Sequence, residues 1–532
     1  MNIILLGSRW LVAGTVGPPW VAVEALLVVG TLSLLPRRNW ALWMAAVTGL
    51  LVLPILVLAL ADATARLSLA RPLNLYLDFR LAGAVVNLMT GSLGPGKAVL
   101  WGVGLTLGIL GATGSLVALF LRLPSGPGLT PLRYAGMAAL LVGSLGLVQA
   151  RVPGVLVPAG VAGASLLPFQ AATPLVDLVF EQHRYLMQML GERERFAGEM
   201  EAAPADYAHL PGLLEGLGGR DVVMAFVESY GMSSQDDPRY APLVRPRLDS
   251  LEVRMSRAGL TLATGQLEAP IQGGQSWLGH GSVLTGLWLS NQFRYELYLA
   301  GNRENLVDDF HRGGYASVAI MPAITMAWPE GERFGYNRIF PRQDIPYRGP
   351  PLNWVTMPDQ FTWCFLEHDV RRRDRERPLF MEVALISSHA PWTPILPVLS
   401  GCDEVGDGSV FQPWADAGER PEELWLDTER VREHFALAVD YALHAAMVYA
   451  ETYVDDGLVL IVLGDHQPAP LITGDSASMA VPVHIIAQDP EVVRPFLEWG
   501  FSPGAYPDPQ LPVLRMDAFR DWFVRAFTPG AE

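Results

Sequence analysis

The chain has 532 residues, half of them hydrophobic, with 38 Lys and Arg against 54 Asp and Glu and a formal charge of −16. That length allows more than one domain. The acidic balance excludes nucleic acid as the natural partner, because phosphate backbones need basic surfaces.

The first predicted elements are membrane spans. Stretches 21–35, 41–60, 98–121 and 134–148 are apolar. A bilayer core asks for about 20 apolar residues per helix; the second and third stretches meet this unaided, the first and fourth with their flanks. Segment 3–16 is shorter and carries Arg9, so four or five helices are expected over 1–165. It makes a poor cleavable leader, since the apolar segments after it are themselves spans. Arg37 and Arg38 lie between the first two spans, and Arg122 and Arg133 flank the loop between the last two. Placing both loops inside follows the positive-inside rule and sends the rest of the chain outside. Arg66, Arg71, Arg80 and Lys97, in the opposite loop, run against that rule. Glu24 falls inside the first span, where a carboxylate either serves function or hydrogen-bonds a neighbour in the bundle. Residues 1–165 carry ten Lys or Arg and three Asp or Glu, so the acidic excess belongs to the remainder of the chain.

Residues 166–217 read as a linker and a juxtamembrane helix, with a charged amphipathic pattern over 180–201. From 218 to 532 the pattern alternates. Strands end near Val227, Ala263, Ile320, Ile386 and Leu463, and helices are expected at 246–258, 277–285, 304–312, 358–373 and 427–454. Such alternation implies an α/β domain with a mainly parallel sheet covered on both faces. Residues 399–421 read as an insertion or loop. Cys364 and Cys402 can pair outside the cytoplasm or remain buried thiols; the sequence leaves both open.

Three apolar strands end in reactive side chains. Run 458–463 leads into Gly464-Asp465-His466-Gln467-Pro468, run 221–227 into Glu228-Ser229-Tyr230-Gly231, and run 380–386 into Ser387-Ser388-His389-Ala390-Pro391. Chemistry in open α/β sheets sits beyond the carboxyl ends of strands. A carboxylate beside an imidazole there is a pair of divalent-metal ligands, or else an Asp-led turn with a structural His. Ser276 follows Gly273-Gly274-Gln275 and opens an apolar helical pattern. A hydroxyl at a helix start meets free backbone amides that favour phosphate; taken alone it is equally an ordinary N-cap. His280 lies one turn further on. His484 alternates on a strand and reads as structural, and His434 and His444 receive no role.

In these motifs, and in their order, the chain resembles the sulfatase-like branch of the alkaline phosphatase superfamily. It is most similar to the membrane-anchored phosphotransferases of that branch, such as lipoteichoic acid synthases and phosphoethanolamine transferases. The matching pieces are Val227-Glu228-Ser229, Gly273-Gly274-Gln275-Ser276-Trp277, Ser387-Ser388-His389-Ala390-Pro391 and Gly464-Asp465-His466-Gln467-Pro468. The resemblance implies that Glu228, Ser276, Asp465 and His466 bind one divalent metal, Mn, Mg or Zn. It implies that Ser276 is the nucleophile of a phospho-enzyme mechanism, and that His389 binds the phosphoryl group or assists the leaving oxygen. His280 and Trp328 are expected on the substrate side. Trp328 precedes Phe334-Gly335-Tyr336 as a headgroup Trp does in the synthases, but Met321 and Glu330 stand roughly where their His and Arg partners would be. The implied partners are the plasma membrane and a phospholipid or phosphate-ester substrate, met outside the cytoplasm. Neither cysteine nor Ser276 fits the Cys/Ser-x-Pro-x-Arg motif of true sulfatases, and Leu278 breaks the Gly-x-Ser-x-Gly elbow of serine hydrolases. Phosphate-ester hydrolysis remains the nearest alternative to transfer, with a non-catalytic membrane scaffold behind it.

Overall fold

A computed structural model describes residues 20–69, 71–79, 94–123, 170–172, 174–202, 207, 210–415, 417–474 and 477–531, with single positions at 83, 90, 131 and 135. The expected span at 3–16 lies outside the described residues, and so does that at 134–148 apart from position 135. The chain forms two compact units: one of Met1–Leu67 with Arg71–Gly191, the other of Ser68–Ala70 with Glu192–Glu532.

In the first unit, helices Asn39–Leu69 and Gly96–Phe120 are long and apolar enough to cross a membrane by length and composition. Much of their surface is exposed Leu, Val and Trp, including Trp43, Leu100 and Trp101. The first expected span is shorter, a helix over Val23–Leu34. Glu24 lies in its first turn and accepts the backbone N–H groups of Leu175 and Val176, at 3.1 and 3.2 Å. These are orphan donors of helix Pro174–Ala202, so the carboxylate acts as its cap. Two short strands, β1 (Trp20–Ala22) and β2 (Gln170–Ala172), pair in parallel.

The second unit is built on a nine-stranded sheet. Its strands are β3 (Asp221–Val227), β4 (Thr261–Glu268), β5 (Ala316–Met321), β6 (Arg338–Pro341), β7 (Leu379–Leu385), β8 (Leu458–Gly464), β9 (Ala480–Ala487), β10 (Ser502–Pro503) and β11 (Leu514–Arg515). The order is β10-β4-β9-β8-β3-β7-β5-β6, with β11 beside β4. β8, β3, β7, β5 and β6 run parallel, and every residue of β3 and β8 is buried. Their unbroken apolar runs follow from covering both faces.

The sheet is mixed rather than uniformly parallel. β9 runs antiparallel to both β8 and β4, and β10 antiparallel to β4. Among the described residues, the connection from Gly464 to Ala480 holds only the one-turn helix Pro470–Thr473, whereas a parallel crossover is usually made through a helix long enough to pack across the sheet. The main helices fall near the expected segments: Ala241–Arg257, Ser276–Thr285, Leu306–Arg312, Asp359–Phe365 and Thr428–Tyr453. The expected loop at 399–421 instead contains the short helices Cys402–Val405 and Ser409–Trp414. Cys364 and Cys402 form a disulfide that ties the first of these to helix Asp359–Phe365.

Candidate active site

β8 delivers Asp465 and His466 beyond its carboxyl end, next to Glu228 and Ser229 at the end of β3. The approach is close. A Cβ on Gly464 would lie 1.9 Å from the Tyr230 carbonyl oxygen, and one on Gly231 would meet the Gln467 side chain at 1.9 Å. Ser229 takes φ 56°, the left-handed region. That bend serves both carboxylates: its N–H donates to Asp465 Oδ1 and its Oγ to Glu228 Oε1, each at 2.8 Å.

Glu228, Asp465 and His466 are buried, and one ligand atom from each lies within 4.8 Å of the others. His466 Nε2 is 3.4 Å from Glu228 Oε1 and 3.8 Å from Asp465 Oδ2. Its Nδ1 lies 2.8 Å from the Gln467 carbonyl oxygen, which can only accept. In the neutral ring the proton therefore sits on Nδ1, and the Nε2 lone pair faces the carboxylates. Two carboxylates and a ring nitrogen thus converge in a buried site. This oxygen and nitrogen donor set fits one divalent metal.

The electrostatics agree. Burial pushes the Glu228 carboxyl up, but the charges of His389 and His466 and the hydroxyls of Ser229 and Ser276 outweigh it and hold the group at about 2. Burial and the neighbouring Glu228 charge push Asp465 up to about 6. Burial works against a charged His466, but the two carboxylates prevail and raise it. Like charges in one site drive such groups apart.

Ser276 is the first residue of helix Ser276–Thr285, and Gln275 precedes it as N-cap at φ 66°. Ser276 is thus free of capping duty. Its Oγ donates to Glu228 Oε2 at 2.9 Å and lies 3.3 Å from His466 Nε2. Gly279, on the same helix, abuts the other loop: a Cβ there would lie 2.4 Å from the Asp465 carbonyl oxygen. The Gln467 carbonyl also accepts from Gly273 N–H at 2.8 Å, so one oxygen serves both the loop before Ser276 and the His466 ring.

His389 stands at the edge of this group. Ser388 Oγ donates to the Glu228 carbonyl at 2.6 Å, tying the two strand ends together. His389 Nδ1 binds the Ala390 carbonyl at 2.6 Å, and the ring stacks on Trp354 with centroids 3.6 Å apart. His280 is turned to the sheet. Its Nδ1 bonds Glu382 Oε1 at 2.7 Å and its ring stacks on Phe226, while the Tyr336 hydroxyl donates to the other Glu382 oxygen. Trp328 packs against the apolar cluster on one face of the sheet, its ring over Gly331.

Several residues escaped the sequence reading. Ser229 and Gln467 act through backbone atoms as much as side chains, which no spacing reveals. Trp354 meets His389 only through the fold. Asp359 accepts the backbone N–H groups of Ile386 and Ser387, at 2.7 and 2.9 Å, and so shapes the turn that carries His389. Burial pushes its carboxyl up to about 7. Glu382 did leave a signal: it is a carboxylate within the apolar strand β7.

No family model matches the chain, and no curated protein matches it. Among solved structures, it is similar to the lipoteichoic acid synthase LtaP from Listeria monocytogenes, at 10% identity over 54% of this chain and 69% of that one, with a TM-score of 0.36. It is similar to the Streptococcus pyogenes phosphoglycerol transferase GacH in complex with sn-glycerol-1-phosphate, at 12% identity over 56% and 74% of the two chains, with a TM-score of 0.35. A phosphonate monoester hydrolase of Agrobacterium radiobacter matches at 13% identity over 51% and 68%, with a TM-score of 0.30.

Proposed function

We propose that this chain is a membrane-anchored, metal-dependent phosphoryl or phosphodiester-group transferase acting outside the cytoplasm, with Ser276 as its nucleophile. One observation carries the reading: a hydroxyl without a capping role lies 2.9 Å from Glu228 and 3.3 Å from His466, within a buried set of metal-type ligands.

Glu228, Ser276, Asp465 and His466 are assigned to hold one Mn²⁺, Mg²⁺ or Zn²⁺. The metal would supply positive charge that stabilises the serine alkoxide and polarises a phosphoryl oxygen. Glu228 Oε2 orients the Ser276 hydroxyl by accepting its hydrogen bond. The free amides at the start of helix Ser276–Thr285 favour the phosphate charge. Ser276 gives its proton to Glu228 Oε2 as its Oγ attacks phosphorus, the bond from phosphorus to the departing oxygen breaks, and that oxygen takes up a proton to leave as the alcohol, with a phospho-serine left behind. His389, with Nδ1 committed to Ala390, offers Nε2 to the phosphoryl group or the departing oxygen. An acceptor alcohol then takes the group and restores Ser276; water in its place gives hydrolysis. His280, bonded to Glu382, and Trp328, partly buried against the apolar cluster, are proposed on the substrate side.

The division into a membrane region and an external catalytic domain belongs to the same proposal. The two long apolar helices support anchoring, and a disulfide supports an oxidising compartment. A phospholipid or phosphate ester is the proposed donor.

The test uses the purified full chain with a panel of phospholipid and phosphate-ester donors while metals are varied. Ser276→Ala removes one oxygen and should leave the fold intact. Turnover should fall by about 10³-fold or more, because loss of a nucleophile removes the intermediate. Mass spectrometry of trapped enzyme should place the donor's group on the peptide holding Ser276. Activity that survives Ser276→Ala, or a group carried elsewhere, overturns the assignment. The product, phosphorylated alcohol or free phosphate, separates transfer from hydrolysis.

A further inference from the structure

Behind the proposed metal centre lies a buried chain of hydrogen bonds. Tyr230 and Thr264 are fully buried and His484 nearly so. The Thr264 hydroxyl donates to the Gly504 carbonyl at 2.7 Å, which uses its only proton. It must therefore accept from His484 Nδ1–H, 2.9 Å away. His484 Nε2 is then a bare lone pair, and it accepts the Tyr230 hydroxyl at 2.9 Å. Every member is satisfied, and each bond has one direction. Burial pushes the imidazole down to about 4, so Nε2 remains an acceptor at neutral pH.

Tyr230 follows Ser229, the residue with φ 56° whose N–H and Oγ bind Asp465 and Glu228. A left-handed backbone costs energy for any residue but glycine and persists only where its surroundings hold it. Upstream, Glu228 N–H is fixed to the Leu385 carbonyl of β7. Downstream, Gly231 N–H donates to the Ser229 carbonyl at 3.1 Å and Met232 N–H to the Ala480 carbonyl at 3.0 Å, and the Tyr230 ring is seated against β9 by its hydroxyl. The carbonyl of Tyr230 also lies in the hollow left by Gly464.

We infer that His484 is a positioning residue of the metal centre, acting through Tyr230 to hold Ser229 in the bend that aligns Glu228 and Asp465. This rests on the proposed metal site. His484 touches no reacting atom. Its effect is on the spacing of the two carboxylates, and thus on how tightly a cation is held. Partners of this kind behind metal ligands change affinity by about 10–100-fold.

The test measures Mn²⁺ and Zn²⁺ affinity of the full chain by calorimetry, alongside the melting temperature without metal. Tyr230→Phe deletes one oxygen and should weaken metal binding by about 10-fold or more. His484→Leu should do the same, and the double variant should lose no more than the worse single one, because both break one bond. His484→Gln should recover most of the affinity, since its amide can accept from Tyr230 and donate to Thr264. A purely structural role would lower the melting temperature of Tyr230→Phe and leave its metal affinity at the wild-type value; that result overturns the inference. Additive losses in the double variant overturn it as well. A wild-type chain that binds neither metal overturns the metal reading itself, which separates the two failures. If His484→Leu does not fold, Tyr230→Phe and His484→Gln decide alone.

Discussion

At the scale of single residues, the site is a contest between burial and charge, and Asp359 shows it away from the proposed ligands. Its ordinary value of 3.8 rises to about 7 in the folded chain, with burial as the largest cause and the Ile386 and Ser387 N–H bonds opposing it. Between those values the folded state keeps a proton that the unfolded state has lost. Stability contributed by that proton is present below the ordinary value and is lost as pH rises through the folded one. Asp359→Asn can accept the same two N–H groups with its amide oxygen and has no charge to bury. Urea midpoints from pH 4.5 to 8 should therefore slope downward more steeply for the wild type than for Asp359→Asn. Converted to unfolding free energy through the urea slope, the gap should approach at most about 4 kcal/mol at the alkaline end. Parallel pH profiles would show that Asp359 does not carry the shift. The sequence could not reveal this residue, because it looks like any acidic residue at a helix start. Glu228, Asp465 and His466 were legible for the opposite reason: each follows an apolar strand long enough to be recognised.

At the scale of elements, helix Ser276–Thr285 is held by contacts at successive turns. Ser276 meets Glu228 and His466, Gly279 meets the Asp465 backbone, and His280 reaches Glu382 on β7. Gly279→Ala places a methyl group 2.4 Å from a carbonyl oxygen that cannot swing away. Overpacking of this kind costs about 1–3 kcal/mol, and the helix must rise off the β8 loop to relieve it. The variant should therefore lose metal affinity as well as stability, measured by calorimetry and urea unfolding on one sample. Full metal affinity with lowered stability would mean that the helix and the ligand loop move independently. The strands and main helices were readable from apolar runs and helical periodicity. The reversal of β9 was not, because a single sequence does not show whether a short return is a turn or a crossover. β6, β10 and β11 were missed for a related reason: each is too short to carry a period.

At the scale of the whole molecule, the Cys364–Cys402 disulfide closes a loop with a sequence separation of 38. A bridge over a loop of that length contributes about 2–4 kcal/mol, mostly by restricting the unfolded chain. Replacing both cysteines with alanine should lower the unfolding free energy from urea titration by that amount, seen as a lower midpoint, and leave Ser276-dependent turnover nearly intact, since neither sulfur belongs to the proposed chemistry. An unchanged midpoint would show that the bridge does not constrain the unfolded state. The pairing was open in the sequence because two cysteines with a long segment between them carry no geometry. The fold supplies it by bringing helix Cys402–Val405 against Asp359–Phe365.

The shared Gln467 carbonyl gives the protein an intrinsic gauge. Its oxygen accepts from both the Gly273 amide and His466 Nδ1. A cation drawn to Nε2 withdraws electron density from the ring and makes Nδ1–H a stronger donor, which holds the carbonyl more firmly in place. On the proposed metal reading, the Gly273 amide, on the loop that leads to Ser276, should then exchange more slowly with solvent deuterium when a cation is bound. Its exchange rate would report occupancy without a substrate, a dye or a turnover.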